Sequence, residues 1–319
     1  MDEQKSEVLI TGGAGFIGSH LVEKLLENNY AVTIVDNFDP FYPKEIKLKN
    51  IAGFINHPNV TFHELDIRNG DSLFEKLNGQ YDAIVHLAAK AGVRPSIDYP
   101  LEYQDVNVKG TQNMLEFARK RKILQFVFAS SSSVYGINNN FPWKEGDVFL
   151  NPISPYASTK ISGELLGHVY SHLFNIRFIA LRFFTVFGPR QRPDLAIHLF
   201  SRKILKGEPI HFFGNGSTRR DYTYVDDLVQ GIYNAMLYTR TNFEVFNLGN
   251  HHTISLSDMI STLEAAYGKK AIIKRLPEQK GDLPITFADI AKAEQMLNYY
   301  PKTTFKEGIQ NFKHWIEAQ

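Results

Sequence analysis

The stretch Thr11-Gly12-Gly13-Ala14-Gly15-Phe16-Ile17-Gly18 decides the fold. It follows a short apolar run, Val8–Thr11, and opens Phe16–Glu27, where Ile17, Leu21, Leu25 and Leu26 share one helical face. Glycines at 12, 15 and 18 permit a tight turn, a close approach to a pyrophosphate and close helix–strand packing. The helix start at Phe16 and Ile17 offers unpaired N–H groups and positive potential to phosphates. A bare glycine pattern is weak evidence. Here a second apolar run, Val32–Val35, ends in Asp36, 18 residues after Gly18. That completes a β-α-β unit with an acid placed to accept from the adenosine ribose hydroxyls. The Asp36 charge would repel a 2′-phosphate, and Asn37-Phe38 bring no arginine, so NAD is expected rather than NADP.

Outward from this unit the pattern repeats. Val60–Phe62, Ala83–Leu87, Phe126–Ala129 and Phe178–Leu181 read as strands, with helices at Val106–Lys120 and Ala157–Phe174. Runs apolar on both faces, separated by helices, predict an α/β fold: a doubly wound parallel sheet of the Rossmann type. The texture changes near Gly188-Pro189. Helices are expected at Leu195–Leu205, Val225–Tyr238, Leu256–Tyr267 and Thr304–Trp315, a strand at Val245–Leu248, and connections at Phe213–Arg220 and Pro277–Pro284. The reading is an NAD-binding domain over 1–187, rejoined by about 222–252, and a smaller mixed α/β substrate domain over 188–319.

Composition narrows the function classes. A 319-residue chain that is 43% hydrophobic and 22% charged can bury a substantial core. Net charge is +1, so no bulk attraction to nucleic acid or an anionic membrane is expected. There is no cysteine, which removes disulfides, thiolate metal sites and cysteine nucleophiles. Met1–Glu7 is polar and the apolar run after it is too short for a signal peptide or a span, so a cytoplasmic location is expected. His168 and His172 have metal-ligand spacing on a helix, but no third ligand is evident; they read as surface histidines, and no metal is expected. His251-His252 read as a solvated loop, and Lys44–Lys49 as a solvated helix face, with a cofactor contact as the alternative. Phe183-Phe184 and Phe212-Phe213 read as core or pocket wall.

Tyr156 and Lys160 are four apart at the start of a helix and face one side. A nearby ammonium and a nicotinamide charge are expected to pull the phenol below its ordinary value near ~10. The phenol then serves as general base and later as acid. Ser131, at a strand end within Ser130-Ser131-Ser132-Ser133-Val134-Tyr135-Gly136, is placed to bridge a substrate oxygen and the tyrosine. Asp66, after the third strand, either meets adenine or caps a helix.

Thr11–Gly18, His86-Leu87-Ala88-Ala89, Ser130–Gly136, Tyr156–Lys160 and Arg219-Arg220-Asp221-Tyr222 together resemble the extended short-chain dehydrogenase/reductase family, over nearly the whole chain. Asp36–Tyr42, Ala91–Ser96, Arg182–Asp194 and Gln279–Asp282 are similar to its UDP-glucuronate 4-epimerase branch. The resemblance implies a catalytic Ser131, Tyr156 and Lys160. It implies cofactor contacts from Asn37, Asp66, Ile67, Leu87, Ala88, Ala89, Asn107 and Ser130. Arg220 matches a diphosphate-binding arginine and Asp282 a ribose-contacting acid. Thr185 and Gln279 stand where galactose epimerases carry asparagine and arginine. Lys280 departs from an expected proline, and Thr286 matches a position that sets sugar-pocket size. Arg94 and Arg192 are candidates for a sugar carboxylate or the diphosphate, or else surface arginines.

The implied reaction oxidises C4 of a UDP-sugar, turns the 4-keto sugar over and returns the hydride to the other face. Dehydratases in this pattern carry Asp-Glu just after the catalytic Ser/Thr, and decarboxylases a Glu just before Val-Tyr-Gly. Here those positions are Ser132 and Ser133, so an extra proton transfer has no acid. UDP-glucuronate is the expected substrate. Neutral UDP-hexose or UDP-N-acetylhexosamine epimerisation, UDP-glucuronate decarboxylation, and a non-enzymatic NAD sensor or scaffold are the alternatives. A homodimer through Val106–Lys120 and Ala157–Phe174 is also implied.

Overall fold

The seven apolar runs pair into one sheet. A computed structural model describes residues 5–147, 150–277 and 283–319. In chain order come β1 (Glu7–Thr11), α1 (Phe16–Glu27), β2 (Ala31–Asp36), α2 (Lys44–Ile51), β3 (Val60–Glu64), α3 (Gly70–Lys76), β4 (Ala83–His86), α4 (Val93–Asp98) and α5 (Pro100–Tyr103). A π-helical stretch (Gln104–Lys109) leads into α6 (Gly110–Arg121), β5 (Gln125–Ser131), a 3-10 turn (Ser132–Tyr135), α7 (Pro155–Phe174) and β6 (Arg177–Phe183). The remainder is β7 (Thr185–Phe187), α8 (Ala196–Lys206), β8 (Pro209–Phe213), β9 (Arg219–Tyr224), α9 (Val225–Met236), β10 (Phe243–Leu248), β11 (Thr253–Ser255), α10 (Leu256–Tyr267), β12 (Ile272–Leu276), α11 (Ala291–Leu297) and α12 (Phe305–Glu317).

The main sheet is parallel throughout, in the order β3-β2-β1-β4-β5-β6-β10. This is the doubly wound Rossmann arrangement. Strand order reverses between β1 and β4, which leaves a crevice at their carboxyl ends. Alternate side chains enter opposite layers. Ile10, Ile34, Val85 and Val127 pack into one core with Leu21 of α1 and Leu228 of α9. Leu9, Ile84, Phe126, Phe128 and Phe178 pack into the other with Met114 and Phe117 of α6. Helix α7 lies close on that second face because Gly163 and Gly167 have no side chain. A Cβ there would stand 2.3 Å from Phe128 Cζ and 2.1 Å from Phe178 Cε1.

The second half supplies two small sheets, β11-β9-β7 and β12-β8. The first is mixed, parallel at β7–β9 and antiparallel at β9–β11. Before the chain finishes there, α9 returns to pack on α1 and β10 pairs with β6.

Some expectations need correction. The helix predicted over Val106–Lys120 begins as a π turn and becomes α-helical only at Gly110. The connection expected through Arg220 already contains the start of β9, whose polar residues are held by pairing with β11 rather than by an apolar pattern. Strand β12 is largely exposed, so no alternation marks it. Among the described residues no helix is long and apolar enough to cross a membrane. His168 and His172 are exposed on α7, as are His251 and His252 in their loop.

Candidate active site

A cleft of about 510 Å³ opens at the carboxyl ends of the central strands. A shallow polar hollow of about 630 Å³ around Arg68 and Asp105 adjoins it at Asp66, but it contains neither the glycine turn nor Tyr156.

The glycine turn forms one wall. Gly12 has φ +77, and a Cβ there would meet Ala88 N at 2.8 Å. Both facts demand glycine. A Cβ at Gly18 would meet Gly12 O at 2.2 Å, so the turn folds back onto its own helix. Gly15 is the N-cap of α1 and brings no capping side chain, which leaves first-turn N–H groups for a ligand. Asp36 ends β2, nearly buried. It accepts from Ala14 N at 3.1 Å and Phe38 N at 2.9 Å. Burial pushes its carboxyl up, and the Lys47 ammonium 3.9 Å away pulls it down. Lys47 therefore contradicts the solvated reading of Lys44–Lys49: it is buried and donates to the Asp39 carbonyl at 3.0 Å. The α2 stretch reads as polar because its buried lysine is paired, not solvated. Burial pushes Asp66 up, but hydrogen bonds from Arg68 and Asn37 bring it to about 2.

The second wall carries Ser131, Tyr156 and Lys160. Ser154 caps α7 by accepting from Ala157 N at 3.2 Å, and Pro155 occupies the first turn. Tyr156 follows at once, and Lys160 lies one turn on. The Lys160 Nζ is 5.9 Å from the Tyr156 ring centroid and donates to the Ala129 carbonyl at 2.7 Å. The Ser131 hydroxyl accepts from Ser133 N at 3.2 Å and lies on the Tyr156 side of the cleft, where it favours the phenolate. Tyr103 stands edge-on to Tyr156 at 6.2 Å, its hydroxyl tied to the Ala91 carbonyl at 3.1 Å. Burial lowers Lys160 to about 7, against the Glu164 charge that raises it. The expected lowering of Tyr156 is not present in the protein by itself. Burial raises it, and the Ser131 hydrogen bond and the Arg192 charge only partly oppose this. Any net lowering must come from a bound cationic group.

Most of the predicted residues line this cleft: Gly12, Gly15, Phe16, Ile17, Gly18, Asp36, Asn37, Asp66, Ile67, Leu87, Ala88 and Ala89 along the cofactor wall, and Ser130, Ser131, Ser132, Ser133, Tyr156, Lys160, Thr185 and Arg192 opposite. Arg192 makes two hydrogen bonds to Asp194, at 3.0 and 2.8 Å, and lies 5.2 Å over the Phe41 ring. Other predicted residues stand elsewhere. Asn107 does not line the cleft. Its amide accepts from Lys90 N at 2.8 Å and donates to Lys90 O and Thr159 Oγ1. Ser130 lines the cleft but gives its hydroxyl to Glu164. Arg94 is exposed, 6.0 Å over Phe213. Arg220 is half-buried on β9, with Nη1 donating to the Arg219 carbonyl at 2.8 Å. Thr286 pairs with the β9 backbone. Gln279, Lys280 and Asp282 lie outside the described residues. Lys47 lines the cleft, within the run given a cofactor contact as its alternative reading, while sequence reasoning missed Lys90, Tyr103 and Tyr42, which line it too. No short spacing connects them to the glycine turn or to Tyr156. Among the described residues no group of three His, Cys, Asp or Glu side chains could hold a metal.

A Rossmann crevice with a glycine turn, a buried acid at the end of β2 and a Tyr–Lys–Ser set at its mouth fits an NAD-dependent enzyme acting on a carbinol carbon. The chain belongs to the NAD-dependent epimerase/dehydratase family, matched over residues 8–249. Its cofactor is NAD, and the open Gly15 turn and the Asp36 carboxylate fit that group. An uncharacterised protein, MJ1055 of Methanocaldococcus jannaschii, is 45% identical over 97% of this chain and 95% of its own. The UDP-glucuronic acid 4-epimerase of Bacillus cereus, solved with UDP-glucuronic acid and NAD, is 38% identical with a TM-score of 0.90, covering 98% of this chain and 99% of that one. The UDP-glucose 4-epimerase of Thermotoga maritima, solved with UDP-glucose, is 32% identical with a TM-score of 0.89, covering 98% and 99%.

Proposed function

We propose that this protein interconverts UDP-glucuronate and UDP-galacturonate. The reaction class is NAD-dependent 4-epimerisation of a UDP-sugar. One observation carries the narrower reading: the Ser132, Ser133 and Thr185 hydroxyls and the Arg192 guanidinium line the same cleft as Tyr156. Hydroxyls can donate to a carboxylate, and the Arg192 guanidinium, whose Nε and Nη2 hold Asp194, adds positive charge beside it. A neutral hexose has no carboxylate for these donors to hold.

NAD, which the Gly12–Gly18 turn and Asp36 would hold, would supply reversible hydride acceptance at the sugar's C4 and so would not be consumed. Tyr156 removes the C4 hydroxyl proton and later restores it. Ser131, on the same wall as the phenol, holds the same oxygen. Lys160 contributes positive charge behind the phenol when protonated. Phe183 and Phe184 form the apolar wall against which the keto sugar turns. A 4-keto glucuronate is a β-keto acid. Ser132, Ser133 and Thr185 hold its carboxylate away from the orientation that loses CO₂. Arg192 steadies the carboxylate or the diphosphate. Arg94, Arg220, Gln279 and Asp282 are assigned to the UDP moiety by resemblance alone. In this scheme 1–187 with about 222–252 bind NAD, and the rest of 188–319 binds the nucleotide sugar. The working form is a homodimer built on α7.

The test is incubation with UDP-glucuronate, UDP-glucose and UDP-N-acetylglucosamine in competition. UDP-galacturonate should dominate the products, and Tyr156→Phe should lose on the order of 10³-fold in rate while still binding NAD. Preferential turnover of a neutral sugar would overturn the substrate assignment. An unimpaired Tyr156→Phe would overturn the mechanism.

A further inference from the structure

His86 ends β4 directly behind the cleft, buried between two threonines. Its Nδ1 is 2.7 Å from Thr11 Oγ1 and its Nε2 is 3.0 Å from Thr111 Oγ1. The hydroxyl protons decide its tautomer. Thr111 has one, and it goes to the Asn107 carbonyl at 2.6 Å. Thr111 can therefore only accept from His86, and Nε2 must carry the hydrogen. Nδ1 is then the acceptor, and the Thr11 hydroxyl donates to it. Thr11 in turn accepts from Ala88 N at 3.2 Å. The opposite tautomer would draw the Thr111 proton off the Asn107 carbonyl and leave the Thr11 hydroxyl proton with no acceptor, since Thr11 Oγ1 would then accept from both His86 and Ala88 N. Burial pushes the imidazole down to about 3, with the Lys160 charge acting the same way, so the ring is neutral.

The chain of bonds continues. Asn107 Nδ2 donates to Thr159 Oγ1 at 3.0 Å, and Thr159 donates to the Tyr156 carbonyl at 2.7 Å. Each donor thus points one way, from the cofactor floor at Ala88, through Thr11, His86, Thr111 and Asn107, to the first turn of α7. Asn107 reaches this line from the π-helical stretch.

We propose that His86, fixed as the Nε2–H tautomer, is a positioning residue that couples the floor of the NAD site to the backbone of Tyr156. It touches neither substrate nor cofactor and acts through Thr111, Asn107 and Thr159. The proposal rests on Tyr156 being the reacting group.

The test uses the NAD-bound protein. Nitrogen-15 spectra of labelled histidine, assigned by the signal lost in His86→Asn, should show a protonated Nε2 and an accepting Nδ1 that persist to pH 5. Thr111→Val, isosteric but without the hydroxyl, should lower kcat on the order of tenfold through misplacement of Tyr156, with KM for the sugar nucleotide within about twofold. Thr111→Ser should restore kcat. Should Thr111→Val not fold, Thr11→Val cuts the chain at its other end and carries the same expectation. An Nδ1–H tautomer, an imidazolium at pH 6, or a folded Thr111→Val with the parent's kcat overturns the proposal. If the parent turned over no UDP-sugar, the functional assignment would fall instead, and the nitrogen spectra alone would decide the role of His86.

Discussion

Glu164 on α7 and Arg182 on β6 form a buried two-pronged ion pair, Nε to Oε1 at 2.9 Å and Nη2 to Oε2 at 2.8 Å. Glu164 sits one helical turn beyond Lys160 and also accepts from the Ser130 hydroxyl. The pair therefore stiffens the α7–β6 contact under the reacting groups. Glu164→Gln leaves the Arg182 charge buried without its counter-ion, a loss of about 3–5 kcal/mol. Urea unfolding at pH 7 should show it, and a midpoint equal to the parent's would refute the buried-pair account.

The pH dependence of stability should carry a signature of Lys160. Its folded value, about 7, lies below the ordinary lysine value of 10.5. Between those values the unfolded chain holds a proton that the native one does not. Stability contributed at this site thus rises with pH above 7 and is lost as pH falls through 7, by at most about 1.4 kcal/mol per unit. In Lys160→Met this upward slope between pH 7 and 9 should flatten. Parallel slopes in the two proteins would mean that burial does not hold the lysine low.

Gly12→Ala should abolish NAD retention. The added methyl must occupy a left-handed backbone, at φ +77, and meet Ala88 N at 2.8 Å, so the turn opens and the phosphate seat goes with it. Measuring nucleotide content after purification checks this; parent-level content would show that the turn tolerates a side chain.

Leu165, Val169 and Leu173 recur every four residues on α7 and are exposed, Leu165 to 64% and Leu173 to 60%. An apolar stripe on a long helix calls for cover. The double substitution Leu165→Glu and Leu173→Glu should convert the proposed homodimer to monomer in sedimentation velocity, with the fold retained by circular dichroism. A parent that sediments as a monomer would rule out the dimer.

Much of the site was legible because its parts are local. Gly12, Gly15 and Gly18 act within one turn, Asp36 ends the next strand, and Tyr156 and Lys160 meet through the pitch of a single helix. Residues whose roles depend on distant partners could not be read this way. Lys47 looks solvated until Asp36 and Asp39 are seen beside it. Asn107 looks like a cofactor contact until Lys90 and Thr159 are seen to use its amide.

By itself, the order of residues determined the parallel sheet, the glycine turn and the meeting of Tyr156 with Lys160 on one helix, since alternation, glycine spacing and helical periodicity are short-range rules. Tertiary structure alone decided which charges are buried, which tautomer His86 adopts, and that Arg192 reaches the cleft while Arg94 does not. Those outcomes depend on desolvation and on hydrogen-bond partners that the chain brings together from tens of residues apart.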